Sequence, residues 1–279
     1  MLRTRQAVRS LSRDDRDAAL ALCARDLAAN VFVAARIVES ERNLDAVLGY
    51  FGERGLEGLM WTGANLVPVE TTGLSRALFA ERVRRWRSRT ASILGPRDQV
   101  SDLWLSLSAT WGAPRAIRSR QPLLETVTPP SALGVPPHPN VRLARPHEVD
   151  LVLPAAEHMF THEIGYRPYV GSSRTYRGTI AGLIAQGRTY VVIEHGEVVF
   201  KADVGSHALG AAQLQGVWLA PHLRGRGLAV PYVAAVIEQL LVSDVISVSL
   251  YVNDFNAPAL AAYAHVGMRE IGEFTTVLL

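Results

Sequence analysis

Apolar and β-branched runs alternate with helical apolar patterns through the second half of the chain. Strands are predicted at residues 141–144, 189–194, 198–204, 213–219, 245–252 and 273–279. Helices are predicted at residues 147–160, 174–186, 228–241 and 257–266. The dipeptide His195-Gly196 between two of the strands signals a hairpin turn. The order β-α-α-β-β-β-α-β-α-β predicts an α/β (α+β) fold with a central mixed sheet.

The first half of the chain repeats much of this pattern. Strands are predicted at residues 8–11, 58–61, 66–69, 92–95 and 115–126, and a helix at residues 100–111. At 279 residues the chain suits two domains of ordinary size. We interpret residues 1–127 as a second α/β domain, a degenerate tandem copy of residues 141–279; an unrelated α/β domain is the alternative.

A proline-rich segment separates the two halves. Five prolines between Pro129 and Pro139 exclude a regular helix or a central strand. Residues 128–140 are therefore predicted to be a semi-rigid linker.

The composition favours a cytoplasmic protein. The single cysteine, Cys23, excludes an intramolecular disulfide and fits a reducing compartment. Cys23 lies in an apolar helical pattern, which favours a small core residue over a nucleophile. No apolar run reaches about 18 residues, and the arginine- and aspartate-rich N-terminus lacks a signal-peptide core. We therefore expect neither a membrane span nor a signal peptide.

Positive charge is concentrated in the first half, which carries a net charge of +5, against −2 for residues 141–279. The excess lies in six arginines within residues 76–89, around Phe79, Val83 and Trp86 at helical spacing. A solvated basic face is the favoured interpretation. A surface for an acidic partner or for nucleic acid is the alternative, and no nucleic-acid motif accompanies it.

The clearest chemistry lies at a strand–turn–helix junction whose turn reads Arg224-Gly225-Arg226-Gly227. Such a junction directs several backbone N–H groups and the positive end of a helix dipole to one point. Glycines let the backbone approach a large anion, and arginines add charge-assisted hydrogen bonds. We predict a pyrophosphate site. A P-loop does not fit because Gly-Lys-Ser/Thr is missing, and a Rossmann turn does not fit because the third small residue is missing.

The pattern Arg224-x-x-Gly227-x-Ala229 resembles the coenzyme A signature of the GNAT (GCN5-related) N-acetyltransferases, Arg/Gln-x-x-Gly-x-Gly/Ala. Downstream, the spacing is also similar to the family's Asn, small residue, Tyr and Gly-Phe, with Met in place of Phe, at Asn256, Ala259, Tyr263 and Gly267-Met268. The resemblance covers residues 141–279, and the whole chain resembles an actinobacterial type with an additional N-terminal domain. It implies the GNAT fold, acetyl-CoA as the cofactor and acyl transfer to an amine.

The resemblance also implies a cofactor site and two catalytic residues. Coenzyme A would be held by a strand, the turn and a later asparagine: Val217, Trp218, Leu219, Arg224, Gly225, Arg226, Gly227, Leu228, Ala229 and Asn256. Tyr263 resembles the family's general acid, and a core aromatic is its alternative. Asn256 fits a helix N-cap equally well. Family members often carry a glutamate base on a strand, whereas this chain has Gln213 and Gln215 there. Glu163, in a predicted loop over residues 160–169, is the candidate base or amine-attracting group; an exposed polar residue is its alternative, and a water relay could replace it.

The leading expectation is an acetyl-CoA-dependent N-acetyltransferase acting on a primary amine, either of a small metabolite or at a protein N-terminus. A non-catalytic acyl-CoA-binding regulator is the alternative, because no strand glutamate supplies a base. We expect no metal site. We expect the first half to shape the acceptor pocket or to mediate association, for example into a homodimer.

Overall fold

A computed structural model describes residues 7–40 and 43–279, which form two compact units. Within the described residues, unit 1 runs to Leu124 and adds the segments Tyr251–Asn256 and Glu270–Leu279. Unit 2 consists of Glu125–Leu250 and Ala257–Arg269. Unit 1 therefore takes in two segments from the end of the chain.

The predicted strands and helices follow each other in the predicted order, and the first half contains a further strand, Leu44–Gly52, that the pattern did not predict. The strands are β1 (Val8–Leu11), β2 (Leu44–Gly52), β3 (Gly55–Thr62), β4 (Asn65–Val69), β5 (Ser92–Pro96), β6 (Ala116–Thr126), β7 (Arg142–Leu143), β8 (Thr189–Glu194), β9 (Glu197–Ala208), β10 (Ala211–Leu219), β11 (Ser247–Tyr251) and β12 (Arg269–Leu278). The helices are α1 (Arg16–Cys23), α2 (Leu27–Glu39), α3 (Gly73–Val83), α4 (Arg97–Trp111), α5 (Val149–Ile164), α6 (Arg174–Ala185), α7 (Ala229–Val242) and α8 (Ala257–His265). Each half runs β-α-α-β-β-β-α-β-α-β, so the predicted fold class is confirmed.

Unit 1 is built on strands in the order β1-β2-β3-β4-β5-β12-β6. The first four strands pair antiparallel, and β4 pairs with β5 in parallel. Apolar residues at helical spacing on α3 and α4, such as Phe79 and Leu103, pack with Met60 and Ile93 of the sheet in one buried cluster. This part of the core thus lies between these two helices and the sheet, and α2 buries further residues such as Val31 and Ile37.

The final strand pairs with a different strand from the one expected. The sequence predicts that residues 273–279 close the sheet of the second half, but β12 pairs antiparallel with β5, from Phe274 opposite Pro96 to Leu278 opposite Ser92. Four consecutive β12 residues are buried, as they are in strands that lie within a sheet. A pattern read along the chain shows that such a strand is buried, and it does not show which strands flank it.

Unit 2 has the strand order β11-β10-β9-β8-β7, antiparallel except for the parallel pair β10–β11. Helices α5 and α6 contribute Val152, Ala156, Ile180 and Ile184 to a buried cluster with Val191 of β8. The predicted hairpin turn joins β8 and β9, and both of its residues, His195 and Gly196, have positive φ angles of 51° and 81°. These angles match the turn that two-residue hairpins favour.

The proline-rich segment packs against α7 within unit 2. It contains one short 3₁₀ turn, Pro130–Leu133, and no longer regular element. The Oγ of Ser131 donates to Glu238 at 2.6 Å, and the N–H of His138 donates to the carbonyl of Pro231 at 2.9 Å. The His138 ring lies edge-on to Tyr232, with 4.7 Å between centroids. Residues 128–140 are therefore held along the helix.

The N-terminal helical run Arg13–Glu39 is the one stretch among the described residues with the length and mean hydropathy, 1.6, of a membrane-spanning helix. Its most apolar window is 56% buried within the structure, as in core helices. Cys23 in this run is fully buried, and burial raises the pKa of its thiol to about 12. The prediction that Cys23 is a core residue is confirmed, since a thiolate does not form near neutral pH.

Residues 76–89, which carry six arginines, are partly helical and largely exposed to solvent. Helix α3 ends at Val83, which is fully buried together with Phe79. The guanidinium of Arg89 stacks 3.5 Å from the centre of the half-buried Trp86 ring. Most of the arginines remain exposed, so the interpretation as a basic face around an apolar stripe is confirmed.

Candidate functional site

Strands β10 and β11 separate part-way along their length. They pair in parallel from Ala211 opposite Ser247 to Gln213 opposite Ser249, and no pair follows in unit 2, although β10 continues to Leu219. At the last paired position the Oγ of Ser249 is buried and has no hydrogen-bond partner among the described residues. The far half of β10 therefore has an edge that lacks a neighbouring strand within its own unit.

A β-bulge interrupts β10 just beyond this fork. Opposite β9, Gln215 faces Asp203 and Trp218 faces Lys201, so two residues of β10 stand against one of β9. Gly216 occupies the bulge with a φ of +58°, a region that side chains rarely adopt.

The turn after β10 contains two glycines with positive φ angles and faces open space. Gly225 and Gly227 have φ angles of +73° and +76°, with Arg226 between them. A Cβ at either glycine would meet no atom within 4 Å, so the turn faces open space. The Nε of Arg224 donates to the carbonyl of Leu219 at 3.1 Å, which holds the exposed guanidinium beside the turn.

Helix α7 begins at this turn without a cap. Its N-cap residue is Leu228, which offers no side-chain acceptor, and the first turn contains no acidic residue. In the described part of the chain, the N–H groups of Gly225, Arg226 and Gly227 donate to no backbone carbonyl. These donors and the positive end of the helix together form a site suited to a large anion.

The corresponding junction of unit 1, between β4 and α3, has different chemistry. The hydroxyl of Thr72 accepts from the N–H of Ser75 at 3.3 Å, and the Ser75 hydroxyl accepts from the N–H of Thr72 at 2.8 Å. The N–H of Thr71 donates to Gln99 at 2.9 Å. Three N–H groups at this junction therefore already have side-chain acceptors, so it offers an anion fewer free donors than the turn before α7.

The half-buried strand segment formed by Val217, Trp218 and Leu219 lies between the bulge and the turn. The indole N–H of Trp218 donates to Nδ1 of His158 on α5 at 3.1 Å, and the two rings meet at 64°. Sequence reasoning missed this pair, because His158 and Trp218 are 60 residues apart and no spacing in the sequence links them.

Tyr263 and Glu163, the two predicted catalytic residues, influence each other electrostatically within unit 2. Tyr263 on α8 is 7% exposed. Burial raises the pKa of its phenol well above the usual 10, and the negative charge of Glu163 raises it further. The phenol is therefore protonated throughout the neutral range, as a proton donor must be.

Glu163 lies on a helix and not in the loop where the sequence placed it. The helix predicted to end at residue 160 continues as α5 to Ile164, and Gly165, with a φ of +86°, ends it. Good helix formers after Pro154 carry the helix onward, and a left-handed glycine is a common helix terminator. Glu163 is consequently an exposed residue in the last turn of α5.

Asn256 immediately precedes α8 and is exposed, and its N–H donates to the carbonyl of Asn253 at 2.9 Å. It belongs to unit 1, so its contact with a cofactor stays a prediction. Among the described residues, no group of three or more His, Cys, Asp or Glu side chains is arranged to hold a metal ion.

Comparison with solved structures places this arrangement among known folds. A GCN5-related N-acetyltransferase from Sphaerobacter thermophilus matches 99% of this chain and 96% of its own, at 14% identity and a TM-score of 0.63. A tandem GNAT protein from the clavulanic acid biosynthesis pathway matches 97% of this chain and 98% of its own, at 16% identity and a TM-score of 0.58. The chain has the GNAT fold. A GCN5-related N-acetyltransferase from Kribbella flavida covers 90% of the chain and 95% of its own, at 17% identity and a TM-score of 0.57.

Comparison of the sequence with known families and proteins identifies no activity. A family model described as a domain of unknown function (DUF4081) matches residues 45–152. No curated protein sequence matches the chain. At these low identities the structural likeness establishes the GNAT fold, and the activity has to be argued from the site.

The predicted cofactor residues fit coenzyme A in their chemistry. The turn from Arg224 to Ala229 offers unpaired N–H groups, two arginines and no acid, which suits a pyrophosphate. The unpaired edge of β10 offers backbone groups that suit the amides of a pantetheine arm. The orphaned hydroxyl of Ser249 at the fork is a further unsatisfied polar group.

Proposed function

We propose that this protein is an acetyl-CoA-dependent N-acetyltransferase that acts on a primary amine, either of a small metabolite or at a protein N-terminus. The observation that carries the proposal is the two-glycine turn at the uncapped start of α7. The turn directly follows β10, and the second half of β10 is not paired with β11. A single ligand with a pyrophosphate and a strand-like amide arm accounts for both features.

The turn would hold the pyrophosphate. Its glycines keep side chains out of the way, and Arg224 and Arg226 supply charge-assisted hydrogen bonds, each worth about 1.5–3 kcal/mol. The N–H groups beyond the bulge, near Val217 and Trp218, would donate hydrogen bonds to the acyl oxygen as it gains negative charge, the role of an oxyanion hole. Bound acetyl-CoA supplies the activated acetyl group.

Tyr263 and Glu163 divide the proton chemistry between them. Tyr263 stays protonated because its phenol is buried and lies in the field of Glu163, so it can donate a hydrogen bond to the departing sulfur. Glu163 is exposed at the end of α5, where its carboxylate can attract a cationic amine and take up its proton. These two roles are why we favour an enzyme over a non-catalytic acyl-CoA-binding regulator.

We propose that unit 1 is a degenerate copy that does not bind coenzyme A. It shares the element order of unit 2, but the cap formed by Thr72 and Ser75 occupies the position of the anion-binding turn. The chain should therefore take up one acetyl-CoA. With its single buried Cys23 it fits a reducing cytoplasm.

Calorimetric titration of the intact chain with acetyl-CoA, followed by turnover assays against pools of small amines, aminoglycosides and peptides, tests the proposal. We expect one site per chain and release of free thiol with at least one pool. One site without turnover on any pool would favour the regulator. No binding would refute both functions, and two equivalent sites would refute the degenerate-copy interpretation.

A further inference from the structure

A buried ion pair lies on β9 beneath the β10 bulge. Lys201, the only lysine of the chain, is fully buried, and Asp203 is 3% exposed. The Nζ of Lys201 donates to Oδ2 of Asp203, and the other carboxylate oxygen accepts from the Thr189 hydroxyl at 2.8 Å. Stability alone does not explain this buried ion pair, because proteins in which apolar side chains of similar size replace such a pair are often equally stable or more stable.

The pair touches the bulge directly. The Nζ of Lys201 also donates to the carbonyl oxygen of Gly216 at 3.4 Å. A Cβ on Gly216 would stand 3.1 Å from the Lys201 Nζ, from the Asp203 Oδ2 and from the Cε of Met159. The bulge residue is thus packed against the ion pair and against α5, with no room for a side chain.

The geometry of the peptide bond links this contact to the proposed oxyanion donors. In a trans peptide the C=O and the following N–H point in opposite directions. A carbonyl of Gly216 that is held toward Lys201 therefore turns the N–H of Val217 away from the ion pair. The ion pair lies opposite both ends of the bulge, since Asp203 faces Gln215 and Lys201 faces Trp218.

We propose that Lys201 and Asp203 are positioning residues for acyl transfer. Lys201 clamps the Gly216 carbonyl, which fixes the bulge and aims the Val217 N–H at the acyl oxygen, while Asp203 holds the ammonium in place. This inference rests on the proposed acetyltransferase function. A compact ammonium suits the contact, because it can donate to a carboxylate and a carbonyl at once.

The test compares two variants. Lys201→Met/Asp203→Leu removes both charges together, so no unpaired charge stays buried. Thr189→Val is the matched control, because it removes a hydrogen bond to Asp203 and leaves the contact between Lys201 and Gly216 intact. In the free protein, amide NMR signals and hydrogen exchange of residues 216–218 should change in the double variant and keep wild-type values in the control.

Activity provides the second readout. Loss of one oxyanion donor lowers kcat by about 10²–10³-fold. The double variant should show that loss, with acetyl-CoA affinity within about threefold of wild type, while Thr189→Val keeps wild-type kcat. Selective ¹⁵N labelling of lysine gives one side-chain signal, that of Lys201, which should shift when acetyl-CoA is added.

The outcomes separate the two proposals. Unchanged bulge amides in the double variant would overturn the clamp whether or not the wild type binds acetyl-CoA, and changed amides with wild-type kcat would overturn its role in acyl transfer. Failure of the wild type to bind acetyl-CoA would refute the proposed function, and the amide test would still decide whether the clamp exists. If the double variant does not fold, Gly216→Ala perturbs the bulge from the other side; wild-type amides and kcat there would overturn the clamp.

Discussion

Replacing Gly227 by glutamate tests the pyrophosphate site most directly. Gly227 has a φ of +76°, so any other residue introduces strain of about 1–2 kcal/mol. Its Cβ would meet no atom within 4 Å, so no steric clash is added. The fold should therefore survive, with a melting temperature a few degrees lower at most for a chain of this size.

The new carboxylate should repel the phosphates. Two unit charges 4 Å apart interact by about 1 kcal/mol in bulk water and by about 4 kcal/mol near a protein surface. Gly227 is exposed, so the true value lies between these limits. Since every 1.4 kcal/mol is a factor of ten, we expect Gly227→Glu to bind acetyl-CoA about fivefold to about 10³-fold more weakly.

Gly227→Gln separates charge from strain, because it has the same length and the same backbone penalty without the negative charge. Calorimetry with acetyl-CoA should rank the affinities as wild type, then glutamine, then glutamate. S-acetyl-pantetheine, which lacks the pyrophosphate, should bind the glutamine and glutamate variants equally. Equal acetyl-CoA affinity of these two variants would refute a pyrophosphate at this turn.

Three further predictions concern proton chemistry and stability. Tyr263→Phe should lower turnover by about 10²–10⁴-fold with little change in acetyl-CoA affinity. If the variant turns over the true acceptor at the wild-type rate, Tyr263 has only a packing role. Glu163→Gln should weaken acceptor saturation or turnover while calorimetry finds acetyl-CoA binding intact, and acceptor kinetics equal to wild type from pH 6 to 9 would eliminate Glu163. A hydrogen bond from Arg142 lowers the pKa of Glu148 from 4.5 to about 2, so its stabilisation is full above pH 4.5 and is lost as the pH falls toward 2. Urea unfolding of Glu148→Gln should therefore show a deficit of about 1 kcal/mol at pH 7, because Arg142 is 39% exposed and solvent screens the pair. The deficit should shrink with acid, and an equal deficit at pH 7 and pH 3 would contradict this linkage.

Short sequence patterns correctly predicted the turns whose backbone conformation is determined by the turn residues themselves. Paired positive φ angles at His195 and Gly196 join β8 and β9, as the hairpin dipeptide indicated. The turn at Gly225 and Gly227 also has the left-handed backbone for which its glycines are suited. In each case the residues themselves set the backbone conformation, so no distant partner has to be known.

Features that depend on distant partners could not be predicted in this way. The partner of β12 is β5, about 180 residues earlier in the chain, and no periodicity encodes such a choice. Lys201 and Asp203 lie in the strand predicted at residues 198–204, and nothing in its pattern indicated that the two charged side chains are buried together. The end of α5 was placed too early, at residue 160, because Gly165, Pro168 and Gly171 suggested irregular structure, whereas the helix continues to Ile164.

The two strand-to-helix junctions show how little separates a structural turn from a site suited to a ligand. At the start of α3, Thr72 and Ser75 cap the helix, an arrangement that contributes about 1 kcal/mol to stability. At the same place in the second half, α7 starts at Leu228 with no side-chain cap and forgoes that stabilisation. A bound anion would restore it by accepting from the same N–H groups. We infer that α7 lacks a side-chain cap because its first N–H groups bind the pyrophosphate. A capping side chain like that of Thr72 at the start of α7 would compete with the pyrophosphate for these N–H groups.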